Sequence, residues 1–327
     1  MKQISVLVPG GDPQLPAIVS AYKAFGRANK FLIDNGRKPM FTAQLVGNSR
    51  DQSLDGGVFS IHPQVTFREV SRTDLIIIPA INWDFQQVLA ANKEMMAWVT
   101  EQYKQGAEVA SMCTGAFLLA DTGLLRGRNC STHWMAANIF RKMFPDVNLV
   151  VEKLITDEHG IYTNGGAFSF LHLLLYLIEK FSGREAAIFC AKFFEIDIDR
   201  NSQSAFMSFS GLKDHDDEEI KKAQEYIEEN FDKKISIEDL ADHLAIGRRN
   251  FDRRFIKATS NTPVEYVQKV KIEVAKKSLE TGRKTVNEVM YDVGYSDQKA
   301  FREIFKRITG LSPLEYRNKY NKEVVGM

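Results

Sequence analysis

The sequence predicts two domains of different class. Residues 1–200 form an α/β domain, a mostly parallel sheet with helices on both faces. Residues 201–217 form a linker, and residues 218–320 form an all-α domain with two helix-turn-helix units. Three observations predict this. The first 200 residues alternate strand-like and helix-like segments, the pattern of a parallel sheet covered by its crossover helices. No strand-like run follows Glu218. Finally, residues 236–266 recur almost in step as residues 285–316.

With 327 residues the chain is long enough for two domains whose cores need no disulfide or metal. A composition of 44% hydrophobic and 26% charged residues excludes the disordered, collagen-like and coiled-coil-rod classes. No apolar run reaches the roughly 18 residues of a membrane span, so no membrane partner is expected. Residues 4–8 are apolar but too few for a signal peptide. They run into Pro9-Gly10-Gly11 and read as a buried first strand. Cys113, Cys130 and Cys190 are odd in number and far apart. No disulfide framework and no metal set is expected, and a cytoplasmic location fits them. The net charge of +1 divides into −2 through Asp217 (21 Lys and Arg, 23 Asp and Glu) and +3 after it (22 against 19). That asymmetry is too weak to name a partner.

In the α/β part the expected strands are 4–8, 41–46, 75–79, 108–112 and 149–155, short apolar or β-branched runs closed by Gly, Pro or Asn. Helical patterns lie between them at 15–35, 93–105, 116–122, 134–144 and 168–181. Residues 51–70 read as a hairpin at the sheet's edge.

Cys113-Thr114 falls between the strand 108–112 and the helix opened by Gly115-Ala116. A nucleophile on such a turn stands exposed above the sheet. The helix N-terminus is expected to lower its thiol pKa. Ser131-Thr132-His133-Trp134 offers an imidazole. Ligands of open α/β sheets bind beyond the carboxyl ends of the strands. Pro9-Gly10-Gly11, Pro79-Ala80, Cys113, His133 and Gly165-Gly166 gather at that edge. Cys130 and Cys190 read as inert core residues, and Trp83 and Trp98 as packing. His62, His159, His172, His215 and His243 form no cluster. Glycine loops of the phosphate-cradling kind are absent, so no cofactor is expected.

The runs Val109-Ala110-Ser111-Met112-Cys113-Thr114-Gly115-Ala116-Phe117, Gly123-Leu124-Leu125-Arg126-Gly127-Arg128 and Thr132-His133-Trp134 carry a resemblance over roughly residues 1–200. They resemble the PfpI-like branch of the class I glutamine-amidotransferase-like superfamily, which implies a flavodoxin-like fold. That branch includes hydrolases and, fused to DNA-binding domains, regulators; this chain has the fused order. Its catalytic members carry an acid in the loop after the first strand. Here the loop puts Gln14 or Leu15 at the acid's place, with Asp12 two or three residues early. Cys113, Thr114, His133 and Asp12 are therefore candidate pocket residues, and a non-catalytic domain is expected.

The repeat marks the all-α part. Phe251, Phe255, Pro263, Glu265 and Tyr266 recur 50 positions on as Phe301, Phe305, Pro313, Glu315 and Tyr316. Upstream, Ser236, Asp239, Leu240 and Leu244 match Thr285, Glu288, Val289 and Val293 at a shift of 49, so the second copy has one extra residue in its turn. Ser236 and Thr285 read as N-caps with an acid three positions on. Thr262-Pro263 and Ser312-Pro313 add proline at the first helical position. Two short helices joined by a tight turn make a helix-turn-helix, over about 236–258 and 285–309, with a spacer helix over 263–280. With the phenylalanines inward, Arg249, Asp252 and Arg253 face out on one side of copy one's second helix, with Arg248 and Asn250 beside them in its first turn. Gln298, Lys299, Arg302, Glu303 and Lys306 face out in copy two. Arg and Gln read base edges and Lys suits phosphate, so these are the candidate DNA-binding residues. Two such helices about 34 Å apart would enter successive major grooves.

Residues 218–320 resemble the DNA-binding domain of the AraC/XylS family. The resemblance is carried above all by Val289-Met290-Tyr291-Asp292-Val293-Gly294-Tyr295-Ser296 and by Gly310-Leu311-Ser312-Pro313-Leu314-Glu315-Tyr316-Arg317. Copy one departs from that pattern at Ser260 and Asn261, both in a turn. Together the resemblances imply a transcriptional regulator. Its partners would be double-stranded DNA, a small-molecule effector and a second copy in a homodimer. The alternative is a cysteine-dependent hydrolase that uses Cys113 and His133 and carries a regulatory DNA-binding domain.

Overall fold

The computed structural model describes the chain except residues 199–201, 210, 212, 214 and 322–327. It separates into two units, Met1–Gln203 and Ser204–Met327.

The first unit runs β1 (Lys2–Val8), α1 (Leu15–Asp34), β2 (Phe41–Gly47), β3 (Gln52–Leu54), β4 (Phe59–Ile61), β5 (Val65–Thr66), β6 (Leu75–Ile78), α2 (Phe85–Ala91), α3 (Lys93–Lys104) and β7 (Glu108–Met112). It continues through α4 (Ala116–Asp121), β8 (Asn129–Cys130), α5 (Ala137–Met143), β9 (Asn148–Leu149), β10 (Ile155–Glu158), β11 (Ile161–Asn164), α6 (Phe170–Ser182) and α7 (Arg184–Phe194). The main sheet has the order β10-β11-β7-β6-β1-β2-β5. Every pairing in it is parallel except the edge pair of β10 with β11. Strand side chains alternate between faces. Ile4, Val6 and Val8 of β1 pack with α1, α6 and α7 on one side, while Leu7 packs toward α2–α5 on the other. The expected parallel sheet with helices on both faces is thus what forms.

Three details differ from the expectation. The strand expected over 149–155 is not one element. Asn148–Leu149 pairs with β8 in a separate ribbon, the chain turns, and β10 begins at Ile155. The neighbour of β7 is instead β11, four buried residues that the sequence reading passes over. They follow the tight turn at His159 and Gly160, both at positive φ, and are too short to show a period. Helices α2 and α7 are also additional. The hairpin expected at 51–70 is β3–β4, with β5 then joining the sheet edge.

The linker expected at 201–217 is not a free spacer. Residues 201, 210, 212 and 214 of it lie outside the described residues. Ser202 and Gln203 are held in the first unit through Glu152, to whose carbonyl oxygen both donate. In the second unit, Ser204–Phe206 form a 3-10 turn, and Phe209 packs edge-on to Tyr266 with ring centres 5.0 Å apart.

The second unit is all helix among the described residues: α8 (Glu218–Glu229), α9 (Ile237–His243), α10 (Arg248–Thr259), α11 (Pro263–Thr281), α12 (Val286–Asp292), α13 (Gln298–Thr309) and α14 (Pro313–Tyr320). The caps set these limits. Ser236, Thr262, Thr285 and Ser312 each accept from the backbone N–H three residues on, and the last three are full capping boxes. Each copy has its own core. Phe251, Phe255 and Tyr266 are buried in one, Phe301, Phe305 and Tyr316 in the other. The ring spacings nearly coincide, at 5.5 and 5.3 Å against 5.8 and 5.4 Å. Truncating one such phenylalanine to alanine costs about 3–5 kcal/mol. The tyrosines close each copy on the helix before it. Tyr266 donates to Glu228 of α8, and Tyr316 to Glu280 of α11.

Candidate nucleic-acid interface and ligand pocket

In the second unit, α10 and α13 are the second helices of the two copies. Their inward Phe pairs leave the positions between them on the surface. The turn before α10 spans 244–247 and that before α13 spans 293–297, so the extra residue is where the repeat puts it. In α13, Lys299, Arg302, Glu303 and Lys306 are exposed. Among the described residues, no hydrogen bond or ion pair engages their side chains. Gln298 donates to Asn287 on α12. In α10 the cations are mostly committed. Arg248 is half-buried and pairs with Asp252 at 3.0 Å and with Glu238 of α9. Arg253 donates to Asn250 at 2.9 Å. Arg254 grips Asp217 with two hydrogen bonds of 2.6 and 2.9 Å, which hold that carboxyl below the usual carboxylate range. Arg249 and Lys257 are exposed, and no hydrogen bond or ion pair holds their side chains among the described residues. Asp252 is expected to face out, with Arg248 beside it as a DNA-binding candidate. Instead they are locked to each other, because they lie one turn apart on one helix with opposite charge.

The first unit has a pocket of about 110 Å³ at the carboxyl ends of β1, β6 and β7. Cys113, Thr114 and His133 all line it, with Gln14, Trp83 and Phe168. The elbow is tightly built. Cys113 has a left-handed backbone, φ +53°, and a Cβ on Gly115 would press on the carbonyl oxygens of Ile78 and Pro79. The hydroxyl of Thr114 donates to the Ile81 carbonyl at 2.6 Å and accepts from the Ile81 N–H at 2.9 Å. The hydroxyl of Thr132 donates to the Cys113 carbonyl at 2.9 Å.

Four expectations need correction here. Cys113 is not exposed above the sheet; only 5% of it is accessible. Its thiol is not acidified. Burial pushes it up to about 11, outweighing hydrogen bonds from Thr114 that favour the thiolate. Asp12 is outside the pocket. It takes a left-handed backbone, and its carboxylate accepts from the Asp55 N–H at 2.7 Å and from Asn82 at 3.2 Å, leaving neutral Gln14 in the pocket wall. Trp83 packs only in part, its ring 5.8 Å from that of Phe85, and it also lines the pocket. It is 47% exposed beside His133, their rings edge to face at 6.1 Å. Trp98 does pack, against Phe67.

His133 has its own task. Its Nδ1 accepts from the Met135 N–H at 3.2 Å, which leaves the ring proton on Nε2, and burial holds its pKa below the usual histidine range. No hydrogen bond joins it to Cys113 among the described residues. Behind the pocket lies a residue that the sequence reading did not single out. Gln203 is fully buried, and its side-chain amide donates to the carbonyls of Thr132, at 3.0 Å, and Val151. The glycine pair beside it was the available signal. A Cβ at Gly165 would collide with Gln203 and Ser131. Among the described residues, no group of three or more His, Cys, Asp or Glu side chains is placed to hold a metal ion. No described helix is long and apolar enough to cross a membrane.

Known proteins match both units. A model of the DJ-1/PfpI family matches residues 41–180, and a helix-turn-helix domain model matches residues 240–319. The HTH-type transcriptional regulator GbdR of Pseudomonas aeruginosa is 24% identical over 229 residues, 70% of this chain. The match spans only 62% of GbdR's own length. The HTH-type transcriptional regulator CdhR of the same organism is 22% identical over 317 residues, 95% of this chain and 90% of CdhR. The crystal structure of an AraC family transcriptional regulator from Pseudomonas putida superposes with a TM-score of 0.51 at 13% identity. It covers 59% of this chain and 100% of that one, a likeness of fold.

Proposed function

We propose that this chain, which joins a DJ-1/PfpI-family domain to a helix-turn-helix domain of the AraC type, binds double-stranded DNA sequence-specifically and regulates transcription. The observation that carries the reading is the duplicated helix-turn-helix, whose second helices expose Arg249, Lys299, Arg302 and Lys306. Four cations on two outward helices suit a duplex backbone, and Arg302 and Gln298 suit base edges. The matched relatives GbdR and CdhR, both named HTH-type transcriptional regulators, support it. The test is selection of DNA fragments by the purified protein at two salt concentrations, with and without a metabolite pool. Expected are two half-sites about one helical turn apart, with affinity falling steeply as salt rises. Binding indifferent to sequence in every condition overturns the reading.

The first unit is proposed to sense a small uncharged or weakly charged molecule in the Cys113–His133 pocket, and to pair with a second copy. Gln203 supports the sensing role. It ends the first unit while its amide holds the carbonyl of Thr132, the residue before pocket-lining His133. A ligand that moves His133 therefore acts on the chain leading to the second unit. The pocket is proposed to be non-catalytic, since burial pushes the Cys113 thiol up to about 11 and so keeps it protonated at neutral pH. Alkylation of Cys113, followed by peptide mass spectrometry, is expected to accelerate about tenfold per pH unit up to at least pH 10. A rate that levels off below pH 8 would reveal a reactive thiolate and favour the hydrolase reading.

A further inference from the structure

The two helix-turn-helix copies meet at a junction that neither core explains. Lys271, in the middle of α11, is only 6% exposed. Its ammonium donates to two backbone carbonyls. One is Lys233, at 3.1 Å, in the loop between α8 and α9 of copy one. The other is Val293, at 2.9 Å, at the end of α12 in copy two. Its Nζ also lies 5.4 Å from the ring centre of Tyr295, in the turn before α13. Two further observations place these segments in direct contact. Gly294 has φ +72°, and a Cβ there would run into the Asp232 carbonyl and come within 2.7 Å of Lys271 Nζ. Phe231, in the same loop of copy one, packs against both hydrophobic cores.

A single helix such as α11 links two bodies but leaves each free to rock about its end. Rocking is opposed by a contact away from the helix axis, and a buried cation shared by two carbonyls supplies one. Parting the copies would draw Lys271 away from at least one of its two acceptors, and leaving a buried ammonium under-satisfied is unfavourable. The contact also reaches the turn that aims α13.

We infer that Lys271 is a positioning residue that locks the two helix-turn-helix units into one rigid body, so that the protein measures the spacing of its two half-sites. The inference rests on the DNA-binding reading for its use, but the lock itself does not. Two measurements on the full chain separate them. The first is the distance distribution between spin labels on cysteines introduced as Lys257→Cys and Glu303→Cys, exposed positions on α10 and α13. The native cysteines are buried. The second is the affinity of unlabelled protein for its selected site with the spacer changed by about five base pairs, half a helical turn.

In the unaltered protein the distribution is expected to be single and narrow, and the altered spacer to weaken binding about 10²-fold, the loss when two linked modules cannot engage together. Lys271→Met is expected to broaden the distribution and reduce that penalty to less than about tenfold, while helical content by circular dichroism is unchanged. A merely structural role would lower stability and leave spacing discrimination intact. Gly294→Ala, at an exposed position that belongs to neither core, should give the same two changes and carries the test if Lys271→Met fails to fold. A distribution that stays narrow, or a spacing penalty that stays whole, in the folded variant overturns the lock. If the unaltered protein selects no DNA sequence yet Lys271→Met broadens the distribution, the lock stands and the DNA-binding reading falls.

Discussion

The two helix-turn-helix copies are alike where they are buried and unlike where they are exposed. Fifty positions apart, Phe251 and Phe301, Phe255 and Phe305, Tyr266 and Tyr316 fill the same places in two separate cores. On the surface Arg249 and Lys299, and Lys257 and Arg307, keep their charge, but the positions between them differ. Asp252 and Arg253 of copy one stand where copy two has Arg302 and Glu303, and Ile256, 45% exposed, stands where copy two has Lys306. Copy one also commits Arg248, Arg253 and Arg254 to Asp252, Glu238, Asn250 and Asp217, whereas in copy two Arg307 donates to Gln268 and Lys299, Arg302 and Lys306 stand in solvent. The fold is fixed by a few apolar positions at helical spacing. What each copy presents is fixed by the residues between them, and these have diverged freely. Two copies with opposite charge order cannot read the same base sequence. On the DNA-binding reading, the operator has two half-sites of unlike sequence rather than a repeated one.

The largest difference this comparison predicts is between Arg302 and Arg248. Arg302→Ala removes an exposed cation with no partner among the described residues, so its loss is expected to fall on DNA. Affinity for the selected site is expected to fall by about 1–3 kcal/mol, roughly 5- to 150-fold, with helical content and thermal stability unchanged. Arg248→Ala removes a cation already paired within the protein. It is expected to weaken DNA binding severalfold less and to lower stability, by up to about 1 kcal/mol, through the lost pairs with Asp252 and Glu238. Titration of both variants against one labelled site, beside their melting curves, measures this. Equal losses of affinity would erase the distinction between free and committed cations.

The contrast also explains what the sequence disclosed. Caps, prolines and Phe pairs are local signals, and they occur twice, so the helices of the second unit appear within a residue or two of their expected limits. The elbow at Cys113 was legible for the same reason, since a strand ending in a tight turn before a helix leaves its mark in consecutive residues. What stayed hidden depends on residues far apart in the chain. β11 is too short to show a period and is defined by pairing with β7. The thiol of Cys113 is set by what buries it, against the pull of the hydrogen bonds from Thr114. Asp12 turns from the pocket because Asp55 and Asn82 hold its carboxylate. Lys271 looks like any other lysine of a polar helix until the loop at 231–233 and the turn at 293–295 close over it.

The smallest predicted difference lies in the turns. In both copies the first helix ends in the same pair of backbone hydrogen bonds. Ile246 N–H bonds to the Ala241 carbonyl and Ala245 N–H to Asp242; likewise Tyr295 N–H bonds to Met290 and Gly294 N–H to Tyr291. Both turns therefore need a left-handed residue at one place. Copy two supplies Gly294, at φ +72°, while copy one forces Ala245 to φ +54°. A left-handed alanine costs about 1–2 kcal/mol, and glycine gives back about 0.5–1 kcal/mol of that through the freedom of its unfolded chain. Ala245 is exposed, so its methyl group contributes little packing that could be lost. Ala245→Gly is therefore expected to stabilise copy one by about 0.5 kcal/mol, slowing hydrogen exchange of the α9 amides roughly twofold and leaving those of α12 unchanged. Faster exchange in α9 would mean that the methyl group does more for the turn than its strain takes away. The two copies would then owe their different turn residues to packing rather than to backbone conformation.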